Sequence, residues 1–231
     1  MLRLDKYISN ATDLSRAEVK RMVKAGVVCV GDNPCTNPAN KITPDQIVTL
    51  DGSIISAAKD RYFMLNKPAG VVSVTKDHHN PTALSLIFEH RSEELQIAGR
   101  LDIDTTGLLL ITDDGQWNHK LTSPRSDCRK IYQVTLANPI GPDYTEKLAQ
   151  GVLLDGEKHR CLPAVMEQVD NHCLTLDIAE GKYHQVKRMF AALGNHVVKL
   201  HRSKVGGIVL DTSLAEGDYR PLTASEVACI R

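Results

Sequence analysis

The chain lacks a charge excess of either sign: its 28 Lys and Arg are matched by 28 Asp and Glu across 231 residues. A nucleic-acid binder usually carries a basic surplus, so a surface of that kind must arise here from how charge is distributed. No stretch approaches the roughly 18 consecutive apolar residues of a membrane-crossing helix. The opening MLRLDKYISN places charges where a secretory leader needs an apolar run, so a cytoplasmic protein with no membrane attachment is expected. None of the six cysteines (Cys29, Cys35, Cys128, Cys161, Cys173, Cys229) sits in a C-x-x-C pair or at zinc-finger spacing from histidine. That pattern predicts reduced thiols, buried or half-buried, in a reducing compartment. The nine histidines include no H-E-x-x-H spacing, no Gly-rich loop of the phosphate-cradling kind occurs, and there is no internal repeat. Neither a metal nor a cofactor is therefore expected. What remains is an ordinary globular composition, 42% hydrophobic and 24% charged, long enough for a small domain followed by a medium one.

The first fifty residues read as a unit. Leu4, Tyr7, Ile8 and Ala11 fall at helical spacing. A second helix opens at Ser15, where Ser15-Arg16-Ala17-Glu18 has the form of a capping box, and Gly26 supplies its end. Val19, Met22 and Val23 form the buried stripe of that helix. Strands follow at Val27–Val30 and Ile47–Leu50, the second leading into an Asp51-Gly52 hairpin turn. Residues 1–24 hold six basic side chains (Arg3, Lys6, Arg16, Lys20, Arg21, Lys24) against three acidic ones. Such a cluster reads either as a solvated helix face or as a patch that holds phosphates.

After a short linker, Ser56 to Lys59, a second unit begins. Its first strand is Tyr62–Asn66, broken by Lys67-Pro68-Ala69-Gly70 and resumed over Val71–Val74. Further strands are expected at 108–112, 131–136, 162–169, 173–178 and 196–201. Helices are expected at about 82–88, 115–121, 142–150 and 183–193, the last ending at Gly194, with a short final helix opened by a second capping box, Thr223-Ala224-Ser225-Glu226. Strands do not alternate strictly with helices, so the class is α+β with a mixed, largely antiparallel sheet and flanking helices. The division falls at 1–58 and 59–231.

The least ordinary segment is Gly99-Arg100-Leu101-Asp102-Ile103-Asp104-Thr105-Thr106-Gly107, which runs directly into the apolar strand Leu108-Leu109-Leu110-Ile111. A carboxylate at a loop-to-strand junction can be held rigidly at the edge of a cleft. The D-x-D spacing permits turn aspartates bonded to local amides, a divalent-metal site, or a single nucleophilic or general-base carboxylate.

GRLDIDTTGLLLITDDG resembles the central motif of the RsuA-type pseudouridine synthases. YFMLNKPAG (62–70), KIYQV (130–134) and EGKYHQVKRM (180–189) resemble that family's other motifs, in the same order. RLDKYIS and LSRAEVKRMVKAGVVCV resemble the S4 RNA-binding domain over roughly residues 1–50. The resemblance implies a small S4-like (α-L) domain followed by a pseudouridine synthase domain. It implies that Asp102 is the catalytic carboxylate, Tyr132 the ring that packs on the target base, and Lys187 the cation paired with the aspartate. Asp104 matches no catalytic position and takes a structural role. GRLDIDTTG, TDDGQW and KYHQVKRMFAALGNHVV point to members that act on small-subunit (16S) ribosomal RNA, free or in a partly assembled particle. A monomer is expected. Two alternatives stay open: the same chemistry on large-subunit RNA, and a non-catalytic assembly factor.

Between Glu180 and Asp211 there is no acidic residue, while Lys182, Lys187, Arg188, Lys199, Arg202 and Lys204 lie there. Lys67, Arg100, Arg125, Arg129 and Lys130 add to the basic set. With the N-terminal cations, Lys67, Arg100, Arg125, Lys130, Arg188 and Arg202 are the side chains expected to hold RNA. Histidines in this region, His184 among them, are expected at the surface or facing phosphates.

Overall fold

The structure is a computed structural model and describes residues 1–43, 45–56, 59–123, 126 and 128–230. Contacts divide the chain into two units, Met1–Asp60 and Arg61–Arg231. Among the described residues no helix is long and apolar enough to cross a membrane.

The first unit comprises β1 (Leu2–Arg3), α1 (Leu4–Ala11), α2 (Arg16–Lys24), β2 (Val28–Val30), β3 (Asn33–Pro34), β4 (Lys41–Ile42), β5 (Val48–Leu50) and β6 (Ser53–Ile55). The Ser15 capping box forms as expected: the Ser15 hydroxyl accepts from the Glu18 amide, and the Glu18 carboxylate accepts from Ser15 N–H, an arrangement worth about 1 kcal/mol. Leu4, Ile8, Val19, Val23, Val28, Ile42 and Val48 make a separate small core. β5 and β6 pair across Asp51-Gly52, both with positive φ, which is the turn the dipeptide demands.

One charged residue lies inside this core. Asp5 is fully buried, and its carboxylate receives Arg3 Nε and Nη2 at 3.1 and 3.0 Å and Arg16 Nη2 at 3.1 Å. The hydrogen bonds from Arg3, reinforced by Arg16, hold the Asp5 carboxyl down at about 2. Arg3 and Arg16, expected to hold phosphate, are thus already occupied by a carboxylate. In the unfolded chain an aspartate titrates near 3.9, so this stabilisation is complete above about pH 4 and is lost as pH falls through about 2. Because both arginines are half exposed, we expect it to be worth roughly 1–2 kcal/mol. Calorimetry of the full chain should show wild type more stable than Asp5→Asn at pH 5, with the gap closing toward pH 2.5; a pH-independent gap would contradict the pairing.

The second unit comprises β7 (Tyr62–Lys67), β8 (Gln96–Ala98), β9 (Thr106–Thr112), α3 (Gly115–Thr122), β10 (Lys130–Leu136), α4 (Tyr144–Ala149), β11 (Val165–Gln168), β12 (Cys173–Ile178), α5 (Gln185–Ala192), β13 (Val197–Val205), β14 (Ile208–Val209), β15 (Tyr219–Pro221) and α6 (Ala224–Ala228). Its sheet runs β11-β12-β10-β13-β9-β7-β15, with β8 on β9 and β14 on β13. Among the described strands only β13 and β9 pair in parallel, so the mixed, largely antiparallel α+β class holds. Alternate residues of β10 and β12 (Tyr132, Val134, Leu136; Leu174, Leu176, Ile178) enter the main core with Met189 and Phe190 of α5.

Several expectations are corrected. Val71–Val74 forms no strand: Val72 makes one bridge to Thr82, while the Val71 carbonyl is taken by Lys67 and the Ser73 hydroxyl by the Leu101 amide. The helix expected at 82–88 is a 3₁₀ turn, Ala83–Leu86. Cys229 is exposed, whereas the other cysteines are buried or half-buried, and burial pushes the Cys161 thiol up to about 11.

The feature that positions the site is how β9 shares one edge. β13 pairs with it at Thr106 and Gly107, and β8 pairs with it at Leu110, Ile111 and Thr112. The chain leaving β8 passes through residues 99–105 before re-entering β9. Gly107 permits the close approach of β13: a Cβ there would lie 2.4 Å from the Arg202 carbonyl oxygen, and its φ is +99°. Gly107→Ala should therefore destabilise the protein by about 3 kcal/mol; unfolding in denaturant checks this, and a loss under 1 kcal/mol would mean that β9 and β13 part without cost.

Candidate active site

The loop bearing Asp102 is fixed through its backbone at successive points. Arg202 Nη2 donates to the Gly99 carbonyl at 2.8 Å and Nη1 to the Arg100 carbonyl at 3.4 Å. The Leu101 amide donates to Ser73 Oγ at 3.1 Å, and the Leu101 side chain is buried. The Thr105 amide closes a turn onto the Asp102 carbonyl. The Ile103 carbonyl accepts from the Gly70 amide at 2.8 Å and from Lys67 Nζ at 3.4 Å. These bonds leave the Asp102 side chain free, about a quarter exposed, at the rim of a cleft.

Two groups from the start of α5 address that carboxylate. Lys187 Nζ lies 3.2 Å from Oδ2, and His184 Nε2 stands 3.4 Å from Oδ1. The same ammonium donates to Asp104 Oδ1 at 2.6 Å. Burial opposes the Lys187 charge, but the bonds to Asp104 and Asp102 outweigh it and hold its pKa above the ordinary lysine value. Asp104 in turn is held below its usual range, chiefly by the Lys187 hydrogen bond. Asp104, expected to have a structural role, thus acts on Lys187: it shares the counter-charge of its neighbour.

His184 is the residue that sequence reasoning placed with the phosphate-facing histidines. It caps α5 in the left-handed region, φ 46° and ψ 36°, a strained setting for a non-glycine residue. That backbone setting, together with a stack on Tyr183 (ring centroids 3.8 Å apart, planes 20° apart), accompanies its approach to Asp102. The signal was present in the Lys182-Tyr183-His184-Gln185 motif, but extending the helix back to 183 hid it.

A cleft of about 1000 Å³ opens beside Asp102, with Arg100, Lys130, Tyr132, His184 and Lys187 in its wall. That is ample for a nucleotide. Tyr132 belongs to the main core and also lines this cleft. The register of β10 against β13 shifts between Ile131, opposite Lys204, and Tyr132, opposite Arg202, which leaves Ser203 of β13 as the extra residue. Lys130 Nζ donates to the Cys128 carbonyl, and burial lowers its pKa. The Arg100 side chain is exposed at the cleft.

Two cations expected on the RNA surface are corrected to internal braces. Lys67 is fully buried and donates to the Pro68, Val71 and Ile103 carbonyls; burial pushes its pKa down to about 8, against the pull of Asp104 and Asp102. Arg202 is also buried, with Nε on the Leu108 carbonyl at 2.8 Å. Both side chains are thus buried and turned to backbone carbonyls, the opposite of a solvent-facing phosphate contact. Arg188 pairs with Glu157 at 3.5 Å and donates to the Tyr183 and Asp155 carbonyls. Lys182 pairs with the same Glu157 at 3.2 Å, so the acid-free stretch finds its acids elsewhere in the chain. Arg125 lies outside the described residues. Lys6, Lys20, Arg21 and Lys24 are exposed on the first unit. Among the described residues, no three His, Cys, Asp or Glu side chains converge as metal ligands would.

The domain is a mixed sheet that holds one carboxylate between an ammonium and an imidazole, at a nucleotide-sized cleft with a tyrosine in its wall. The RNA pseudouridylate synthase family matches residues 61–192, and the S4 domain matches residues 2–58. The chain is 50% identical to the ribosomal small subunit pseudouridine synthase A of Escherichia coli (strain K12) over 230 residues, which is 99% of this chain and 100% of that protein. It is likewise 50% identical to the protein of that name from Vibrio parahaemolyticus, covering 98% of both chains. A solved structure described as a pseudouridylate synthase aligns over all of both chains with a TM-score of 0.73 at 44% identity. This chain belongs to the RNA pseudouridylate synthase family.

Proposed function

We propose that this protein isomerises a specific uridine of small-subunit ribosomal RNA to pseudouridine, with Asp102 as the reacting carboxylate. The reaction breaks the N1–C1′ glycosidic bond, turns the uracil, and joins C5 to C1′, while C5 gives up its proton and N1 takes one up. It is redox-neutral, and its atoms balance without a co-reactant. The observation that carries the reading is the Asp102 carboxylate, fixed through its loop's backbone at the cleft with Lys187 at 3.2 Å on one oxygen and His184 at 3.4 Å on the other.

The surrounding side chains take the following roles in this reading. Closing a base over Asp102 removes water and disfavours its charge; the Lys187 ammonium at 3.2 Å opposes that. The target base must leave its stack to reach the carboxylate. Tyr132, in the cleft wall, offers it a ring, a contact worth about 1–3 kcal/mol, and its phenol assists removal of the C5 proton. Arg100, exposed at the cleft, orders the flipped nucleotide through its phosphate. Lys6, Lys20, Arg21 and Lys24 of the S4 unit hold further phosphates, so affinity falls steeply with salt.

The names of the relatives favour small-subunit RNA over large-subunit RNA. Pseudouridine mapping in both ribosomal RNAs from cells lacking the protein tests this. One small-subunit pseudouridine should vanish and return with the wild-type gene. A loss confined to the large subunit would overturn the substrate, and no loss would overturn the activity.

A further inference from the structure

Apart from its stack on His184, the Tyr183 ring does no packing that accounts for its position. It is 71% exposed, although it is the residue next to His184 and lines the cleft. Its hydroxyl has no partner among the described residues; of its polar groups, the carbonyl alone is used, accepting from Arg188 Nη1 at 3.1 Å. One face of the ring is covered by the His184 imidazole, nearly parallel at 3.8 Å. His184 holds that stack in a left-handed backbone conformation, and a strained outlier beside a reacting group is a sign of function more than of packing. The result is a two-ring shelf at the cleft mouth that begins at Asp102 and ends in an open aromatic face.

Resting on the isomerase reading above, we propose that Tyr183, backed by His184, is a second stacking platform that takes the base adjacent to the target uridine in the same RNA strand. Flipping the uridine out leaves each neighbouring base with one π-face bare. Tyr132 offers a ring to the flipped base; among the described residues, the other aromatic rings lining the cleft are those of Tyr183 and His184. An exposed ring at the rim, already stacked on one side, continues the interrupted stack on its other side. Every base has a π-face, so the platform sets geometry and affinity without reading a donor pattern. Stacking worth about 1–3 kcal/mol per base corresponds to roughly 5- to 150-fold in affinity.

The test pairs Tyr183 variants with abasic RNA. A small-subunit RNA fragment carrying the mapped uridine is prepared in its natural form and with an abasic ribose at each flanking position in turn. Dissociation constants are measured by fluorescence anisotropy, and KM and kcat by pseudouridine formation. Tyr183→Leu should raise Kd and KM about tenfold on the natural fragment, while Tyr183→Phe stays within about twofold of wild type. On one of the two abasic fragments the Leu variant and wild type should converge. The inference is overturned if Tyr183→Leu binds as wild type does. It is equally overturned if its defect is the same on both abasic fragments, or if the defect lies in kcat alone, which would make Tyr183 a positioning residue for His184. The Kd comparison needs no turnover: absence of pseudouridine with wild-type protein would count against the isomerase reading, and the binding series would still decide the platform.

Discussion

Asp102→Asn should lower the isomerisation rate by about 10³-fold or more while leaving the fold and RNA affinity in place. Asparagine matches aspartate in size but is neither a nucleophile nor a base, so whichever atom of the nucleotide the carboxylate first meets, the step is lost. The surroundings make this a clean substitution. Lys187 keeps a carboxylate at 2.6 Å in Asp104, so no cation is stranded when Asp102 loses its charge. The loop itself is held through backbone atoms at Gly99, Arg100, Leu101 and Ile103, none of which depends on the Asp102 side chain. Removing one negative charge from an RNA-facing cleft should leave the dissociation constant equal or slightly tighter. Single-turnover rates and RNA titrations on the same preparation check both halves. Activity within tenfold of wild type would remove Asp102 from the reacting position.

The second large effect is on stability. Arg202→Ala should destabilise the protein by about 3–5 kcal/mol, since it strands the Gly99 and Leu108 carbonyls, loosens that of Arg100 and leaves a cavity in the sheet. Total stabilities of 5–15 kcal/mol make that a large fraction. Arg202→Lys should recover little, because a single ammonium cannot reach both the Leu108 carbonyl of β9 and the Gly99 and Arg100 carbonyls beyond β8. Denaturant unfolding measures the loss, and activity should fall with it as the Asp102 loop comes free. A stable variant with a reduced salt slope in RNA binding would return Arg202 to the RNA surface and contradict the brace.

These two residues also mark how far the sequence could be read. Asp102 and Lys187 were legible because each lies in a motif whose order and spacing carry the family, and the structure brings them to 3.2 Å. The long elements were legible for the same reason that they fold: β7, β9, β10 and β12 have alternating or continuous apolar runs, and α2 and α6 carry capping boxes. Lys67 and Arg202 misled because charge predicts exposure unless unpaired carbonyls wait inside, and a linear pattern does not reveal carbonyls at a point where strands part. β8, β14 and β15 are two or three residues long, too short to show a period. His184 was hidden by one backbone torsion: within a helix it would point along α5, whereas at φ 46° it reaches Asp102.

The most direct measurement is hydrogen release from C5. Small-subunit and large-subunit ribosomal RNA, each made without modification and carrying tritium at C5 of uridine, are incubated with wild-type protein and with Asp102→Asn. Isomerisation must expel the C5 hydrogen, so release counts turnovers without assuming where they occur. Wild type is expected to release tritium from small-subunit RNA to a plateau of about one per chain, with the Asp102 variant and the large-subunit RNA at background. Release by Asp102→Asn at the wild-type rate, or from large-subunit RNA alone, would contradict an Asp102-dependent isomerase of the small subunit.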